Sequence, residues 1–476
     1  MERSSEESDP VARRKDGSAT TPDDPAAAPD LDPSWVEAVR RRLIAWYDHH
    51  HRPLPWRETR DPYRILVSET MLVQTTVAAA IPFYHRFLER FPTIDALAAA
   101  SEADVLKVWE GLGYYRRARL LHQAARVVVE RHGGTVPSDP HTLAELPGVG
   151  RYIAGAVRSF AFDQPAPIVE ANTQRLLARW LAIQTNLKTK PTQDRLWRAA
   201  ERLVPPDQPG RFNQAFMELG ALICKPTQPD CPLCPVTELC QARTLGLEER
   251  LPILSAKPTL LEGRELAVIV TLTHGGDANA PPQPQSILLV QRGSQGLWAG
   301  FWEPPILHLD GANPAERPTV GPQPTSDDLA KALNALVGLP LVFSEISPSA
   351  RVSSSSPLVT PSAWEDRNDA PFQLQANSPP SREPRPRRTR RSPADRSSIR
   401  YVVTKHRMTL EARQARVASP TASPPAANVS TATPEPRVAR SGNLVEARFV
   451  TRDHLAALAL TGPARSILSP WLAAVR

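Results

Sequence analysis

The sequence predicts two folded parts of different class: an all-α domain over 32–242 and an α+β domain over 264–476, with a linker at 243–263 between them. Three observations carry that division. From 63 to 221 the apolar pattern is helical almost throughout, with hardly any strand-like alternation. Glycine and proline punctuate that stretch at Phe91-Pro92, Gly111, Gly113, Gly133-Gly134, Pro147 and Pro165-Ala166-Pro167, as stops between helices. After Cys240 the texture changes to β-rich runs.

In chain order, residues 1–31 are charged and small and read as a disordered tail. A helix follows over 35–46, on the spacing of Val36, Val39, Leu43 and Ile44, and then a loop containing Trp56 and Arg57. One helix is expected over 63–80, and the helical pattern continues to about 221. In the second part, 265–273 and 286–292 read as strands and 329–337 as a helix. Residues 399–412 and 444–450 read as further strands, and 454–475 as a closing helix. Two Ser/Pro/Arg-rich inserts, about 346–398 and 417–441, interrupt this domain and read as disordered. The arginine run at Arg385, Arg387, Arg388, Arg390 and Arg391 is read as a solvated linker rather than a phosphate contact.

The bulk numbers agree. A chain of 476 residues has room for two or three domains, and a net charge of +7 suits a polyanionic partner. Its 51 prolines are about twice the usual share, as the inserts require. No apolar run is long enough to span a bilayer. The polar, acidic start MERSSEESDP argues against a secretory or transit signal, so a cytoplasmic location is expected.

The chemistry concentrates in 146–175. Gly148 and Gly150 bracket Val149 just before a helical run, where bare backbone N–H groups make a place for a phosphate. An ordinary turn between two helices has the same pattern. Glu170 lies twenty residues beyond Gly150, near the expected start of another helix, where N–H groups and the dipole favour a carboxylate. Glu69 has the opposite surroundings: Ile65, Leu66, Leu72 and Val73 are its helical neighbours. If buried there, its carboxyl is pushed upward in pKa, as a general acid near neutral pH needs. One raised and one lowered carboxyl would supply the proton donor and the anion that glycosidic cleavage uses. The four cysteines, Cys224, Cys231, Cys234 and Cys240, follow a C-x6-C-x2-C-x5-C spacing among prolines. That suits a compact loop around one metal centre, and ligand type alone does not choose between zinc and an iron–sulfur cluster.

Taken together these stretches resemble the adenine DNA glycosylase (MutY) family of helix–hairpin–helix glycosylases. The similarity runs from about Trp46 to Cys240, more faintly to the C-terminus. It rests on LPWR (54–57), DPYRILVSETMLVQT (61–75), WEGLGYYRRAR (109–119), LPGVGRY (146–152), ANTQR (171–175), FNQAFMELGALIC (212–224) and the cysteine spacing. The resemblance implies hydrolysis of the N-glycosidic bond of adenine opposite 8-oxoguanine or guanine in double-stranded DNA, by a monomer. By the same carry-over, Glu69 protonates adenine N7, and Tyr152 and Asn172 assist at the reacting sugar. Gln74 and Tyr114 wedge into the duplex, Arg57 and Gln214 line the adenine pocket, and Gly148 and Gly150 hold a phosphate. The cysteines hold a [4Fe–4S] cluster. Tyrosine at 152, where strand-cutting relatives have a lysine, implies a monofunctional enzyme.

Three departures stand out, the first being Val73, where the family commonly has glutamine beside Gln74, which makes the surroundings of Glu69 drier. Glu170 occupies a position where the family has aspartate, within Glu-Ala-Asn in place of Asp-Gly-Asn. The C-terminal part, with ELAVIVTLT, SILLVQRG and GLWAGFWEPP, resembles the family's Nudix-like domain, but no Nudix metal box follows Pro305, so pyrophosphatase activity is not expected. The family's lesion-reading turn falls on Val403, Thr404 and Lys405, of which Thr404 keeps a hydrogen-bonding group. The competing readings are a glycosylase with another mismatch preference and a non-catalytic iron–sulfur protein that binds damaged DNA.

Overall fold

The computed structural model describes residues 31–255, 259–272, 286–293, 295–337, 343–346, 398–403, 406–417, 444–469 and 472. Residues 1–30, nearly all of the two expected inserts, and Thr404 lie outside these. The chain divides into two compact units, Met1–Tyr84 with Thr93–Asp95 and Gln123–Ala256, and His85–Pro92 with Ala96–His122 and Lys257–Arg476. The second thus includes part of the helical stretch.

The helices are α1 Pro33–His50, α2 Pro62–Leu72, α3 Val77–Arg90, α4 Ile94–Ala99, α5 Glu102–Trp109, α6 Arg116–His132, α7 Pro140–Glu145, α8 Arg151–Phe160, α9 Ala171–Trp180, α10 Lys190–Leu203, α11 Pro209–Leu222 and α12 Gln241–Thr244. Local chemistry sets several starts: Asp32, Asp61 and Asp139 accept backbone N–H groups ahead of a proline at the first turn of α1, α2 and α7. In the first unit, α1, α9, α10 and α11 pool Leu43, Leu177, Trp180, Leu196, Phe212 and Phe216 in one core. Around it α2 packs on α8, and α8 and α9 pack on α11.

The single helix expected over 63–80 is two. The chain leaves α2 at Val73, and Gln74 adopts a left-handed backbone (φ 57°) before α3 begins at Val77. Thr75 and Thr76 follow, β-branched residues that continue a helix poorly, and Thr76 instead accepts the Ala79 N–H at the start of the next one.

The second unit is built on a mixed sheet. Its strands are β1 Leu261–Leu272, β2 Ser286–Arg292, β3 Trp302–Glu303, β4 Ile306–Gly311, β5 Phe343–Ile346, β6 Ser398–Val403, β7 His406–Val417 and β8 Leu444–Thr451. Strands β1 and β7 run parallel from Leu261 opposite His406 to Thr271 opposite Arg416, and the other pairings are antiparallel. Both faces are covered: Ala267, Ile269, Ile287 and Leu289 join one core, Leu266, Val268, Leu288 and Val290 the other. This is why the β-runs read as continuously apolar rather than alternating. The latter core includes Leu329 and Leu333 of α13, Ser326–Val337.

Two further expectations need correction. The strand read over 399–412 is a hairpin of β6 and β7, paired from Ser398 opposite Glu411 to Val403 opposite His406. Its arms are both β-rich, so the pattern alone does not mark the fold-back. Within the described residues, the closing helix read over 454–475 is broken: two short helices, α14 Arg452–Leu455 and α15 Gly462–Ile467, stand apart. They are separated because Trp302 and Leu460 form a parallel bridge and Thr461 caps α15.

Within the sheet domain a buried ionic network crosses several elements. Arg317 donates to Glu265 at 2.5 Å and Glu303 at 2.8 Å, Arg292 donates to Glu303 at 3.1 Å, and Tyr401 donates to Glu265 at 2.5 Å. Burial alone would favour discharge of Arg317, and the charges of Glu303 and Glu265 outweigh it and keep the guanidinium charged.

Close backbone approach positions the first unit's central helices. A Cβ on Gly155 of α8 would lie 2.2 Å from the Pro167 carbonyl oxygen in the segment leading to α9. Neither backbone can yield cheaply. Gly155→Ala is expected to lower stability by about 1–3 kcal/mol, read as a reduced midpoint in urea unfolding; an unchanged midpoint would show that the two segments are not held in contact.

Candidate active site

Glu69 sits mid-way along α2 and is 2% exposed. Of the apolar neighbours read from its helix, Ile65 and Leu66 are buried with it, and Leu72 and Val73 are half-buried. Burial lifts its carboxyl to about 7; the Tyr152 hydroxyl, which donates to Oε2 at 2.5 Å, and the Arg57 charge oppose this, while the Glu170 charge adds to it. Tyr152 is one residue into α8, and its hydroxyl also lies 4.0 Å from the Met217 sulfur on α11. Its own proton is held well above the usual range by burial and by Glu69 and Glu170. Three helices therefore converge on one carboxyl.

Glu170 is the N-cap of α9, as its position suggested. Its oxygens accept the Asn172 and Thr173 N–H groups, each at 2.9 Å, and the Asn172 side-chain amide at 3.3 Å. Thr173 Oγ1 returns the contact by accepting the Glu170 N–H at 2.8 Å, closing a capping box. The expectation of a lowered pKa needs correction: burial raises it, and the amides and Arg175 pull the other way. Both acids are pushed upward by desolvation. What separates them is compensation: three N–H groups donate to Glu170 near the Arg175 charge, whereas a single hydroxyl donates to Glu69, where the Arg57 charge is set against the like charge of Glu170.

Asn172 is held from both sides, donating to Glu170 and accepting from Arg175 Nη2 at 2.8 Å. Arg175 reaches on to the Cys224 and Gly220 carbonyls, each at 2.7 Å.

Arg57 and Gln214 line a second feature, a cleft of about 300 Å³ bordered also by Arg60, Phe160, Asp163 and Arg211. Glu69, Tyr152 and Glu170 do not line it. Gln214 Oε1 accepts from the Tyr47 hydroxyl at 2.6 Å, which leaves its amide N–H groups for other partners. Arg57 is gripped by Glu218, at 2.8 Å, which also takes two side-chain bonds from Arg52 at 2.7 and 2.9 Å. Burial would raise the Glu218 carboxyl, but the two guanidinium groups outweigh it and hold it at about 2. The two groups of predicted residues share α11, which carries Gln214 to the cleft and Met217 to Tyr152.

Tyr47, Arg52, Glu218 and Arg175 were not singled out from the sequence. A signal existed for two of them: a pair of arginines, Arg52 ahead of LPWR and Arg57 at its end, needs a counter-charge, and FMELG supplies a lone carboxylate in an apolar helix.

At the hairpin, Gly148 has φ 80°, a left-handed backbone that only glycine adopts freely. Gly150 caps α8 without a side-chain bond, and a Cβ there would meet nothing within 4 Å. The start of α8 is thus open to an anion. Gln74 is exposed on its left-handed backbone, and Tyr114 is 61% exposed on another (φ 49°).

The four cysteines are free thiols, each half-buried on one short loop between α11 and α12. Arg179 Nη1 donates to Cys224 Sγ at 3.1 Å. Burial pushes up Cys231, Cys240 and, to about 12, Cys234, and the charge of Cys224 adds to each. Among the described residues no group of three or more His, Cys, Asp or Glu is arranged to hold a metal ion. By donor chemistry, four unpaired thiols within reach of one another's charge fit a centre bound through four thiolates.

A carboxyl held at about 7 instead of its ordinary 4.5 is a stability statement. The unfolded chain releases this proton first, so the stability it contributes is complete below about 4.5 and lost as pH rises through about 7. Glu69→Gln keeps the shape without the charge. Relative to the parent, it should be neutral at pH 4 and stabilised by roughly 3 kcal/mol at pH 8, measured by chemical denaturation. A pH-independent difference would show that Glu69 is not held neutral.

The profile of HhH-GPD superfamily base excision DNA repair proteins matches residues 67–204. The adenine DNA glycosylase of Rattus norvegicus is 41% identical over 316 residues, covering 58% of this chain and 61% of the relative. That of Schizosaccharomyces pombe is 33% identical over 329 residues, covering 58% of this chain and 70% of the relative. Among solved structures, a thermostable thymine-DNA glycosylase is 30% identical with a TM-score of 0.42, covering 44% of this chain and 98% of that one. The chain belongs to the adenine DNA glycosylase family.

Proposed function

We propose that this protein is a monofunctional DNA glycosylase of base excision repair, removing adenine opposite 8-oxoguanine or guanine from double-stranded DNA and leaving an abasic site. The observation that carries the reading is the buried Glu69 carboxyl, half protonated near pH 7, with Tyr152 bonded to it and Glu170 within reach of its charge. In the reaction Glu69 gives its proton to adenine N7, and the electron pair of the C1′–N9 bond moves into the purine as that bond breaks. The sugar becomes oxocarbenium-like, and ionised Glu170, supported by helix amides, balances its positive charge until water adds at C1′ and gives up its proton to the Glu69 carboxylate. Tyr152 and Asn172 hold the two carboxyls in place. Tyrosine offers no amine for a Schiff base, so the strand stays intact.

The extruded purine would meet the Gln214 amide and Arg57, whose guanidinium Glu218 fixes. Extrusion costs a few kcal/mol of unstacking, which Gln74 and Tyr114 would help offset as wedges. The Gly148–Gly150 turn and the open start of α8 would hold a backbone phosphate. Cys224, Cys231, Cys234 and Cys240 would bind a [4Fe–4S] cluster, which ties the loop after α11 into one covalent frame. The C-terminal sheet would act as a Nudix-like reading domain, with Thr404 offering a hydrogen bond to the oxidised guanine. The protein would act as a monomer in the cytoplasm, at the nucleoid if the cell is prokaryotic.

Duplexes with A opposite 8-oxoguanine, A opposite G and T opposite G test this directly. Abasic product should form from the first two only; product from T opposite G alone, or tight binding with no product, would overturn the proposal. Single-turnover rates should fall tenfold per unit as pH rises above about 7 and the acid loses its proton. Glu69→Gln should be slower by 10²-fold or more and lack this limb. Glu170→Asp should match or exceed the parent rate, because the cap needs only a carboxylate; complete loss would mean a site rebuilt around the longer side chain.

A further inference from the structure

The turn that presents Tyr114 is strained and braced. Gly111 (φ 98°), Gly113 (φ 79°) and Tyr114 (φ 49°) all have left-handed backbones between α5 and α6. From inside the turn, Trp109 Nε1 donates to the Gly113 carbonyl at 3.1 Å, and the Gly111 N–H donates to the Tyr115 hydroxyl at 3.3 Å. Arg117 adds to this from the start of α6: its N–H donates to the Tyr114 carbonyl at 2.9 Å, and its guanidinium lies 5.5 Å from the centroid of the exposed Tyr114 ring.

The remaining support comes from the C-terminal part of the same compact unit, on both flanks of the turn. Before it, Glu110 has a side chain only 5% exposed and accepts Arg465 Nε at 2.7 Å, Arg465 Nη2 at 2.6 Å and the Leu460 N–H at 3.1 Å. Lys107 bonds both Glu110, at 3.2 Å, and the Leu458 carbonyl, at 2.7 Å. After the turn, Tyr115 packs on Phe301 with ring centroids 4.1 Å apart, and Arg119 donates to the Ala299 carbonyl. A bidentate guanidinium–carboxylate pair fixes direction as well as distance.

We propose that Glu110 is a positioning residue: its pairing with Arg465 lets the C-terminal domain aim Tyr114 at the DNA, so that domain contributes to base extrusion as well as to reading the opposite base. This rests on the reading of Tyr114 as a wedge. A turn with three left-handed residues tolerates small backbone rotations, and a bond at Glu110 sets where those rotations stop. The brace acts through Tyr114 and touches no reacting atom.

The test uses the full chain and a duplex carrying 2-aminopurine next to the mispair, whose fluorescence rises on unstacking. Arg465→Ala and Glu110→Gln should each lower the single-turnover rate about tenfold and reduce the fluorescence rise, with Arg465→Lys recovering part of both. In a Tyr114→Ala background the same changes should alter neither quantity by more than about twofold, since there is no ring left to aim. A general loss of folding would instead be additive in both backgrounds and would overturn the proposal, as would parent-like behaviour of Arg465→Ala. If Tyr114→Ala alone leaves rate and fluorescence unchanged, the wedge reading fails and the brace with it.

Discussion

A carboxyl sealed among apolar side chains is the constraint on which the first unit depends. A charged Glu69 would be expensive there, so the site holds it at the edge of ionisation instead of discarding it. Each central helix places a group at or beside that carboxyl. Helix α2 carries the acid, α8 the tyrosine that bonds it, α9 the second carboxylate that repels it, and α11 the sulfur beside the tyrosine hydroxyl. Destabilisation of the fold and readiness to give a proton have one physical origin.

The two carboxyls differ without having opposite environments. Desolvation acts on both in the same direction, and the difference comes from who donates to them. That distinction requires α9 to start at Glu170, and the start is enforced by reciprocal bonds with Thr173. It also requires the helices to lie very close. Glycines at 155 and 220 permit this, with Asn172 on the other side of Gly220, where an added Cβ would be 2.7 Å from the Asn172 Cβ.

The sheet domain solves the opposite problem. It keeps the buried Arg317 charged by pairing it, with Glu265 on one side and Glu303 on the other, and Tyr401 bonded to Glu265. Such a network adds little stability over an apolar core but constrains which strands sit together, because breaking one contact strands the others. It links β1, β3 and β6, with Thr461 at the start of α15 also reaching Glu303. The segment that presents Tyr114 belongs to this unit and not to the one holding the acids.

Much was legible in the chain itself. Helical periodicity gave the all-α stretch, and the apolar neighbours of Glu69 foretold its burial and the direction of its shift. The position of Glu170 foretold its cap, and the cysteine spacing a single loop. These features are local, fixed by residues within a turn or two of one another. The fold-back between β6 and β7, the upward shift of Glu170 and the grip of Glu218 on Arg52 and Arg57 were decided by tertiary structure. Each depends on what arrives from elsewhere in the chain: desolvation, counter-charge and backbone contact are set by packing between distant segments, which periodicity does not encode.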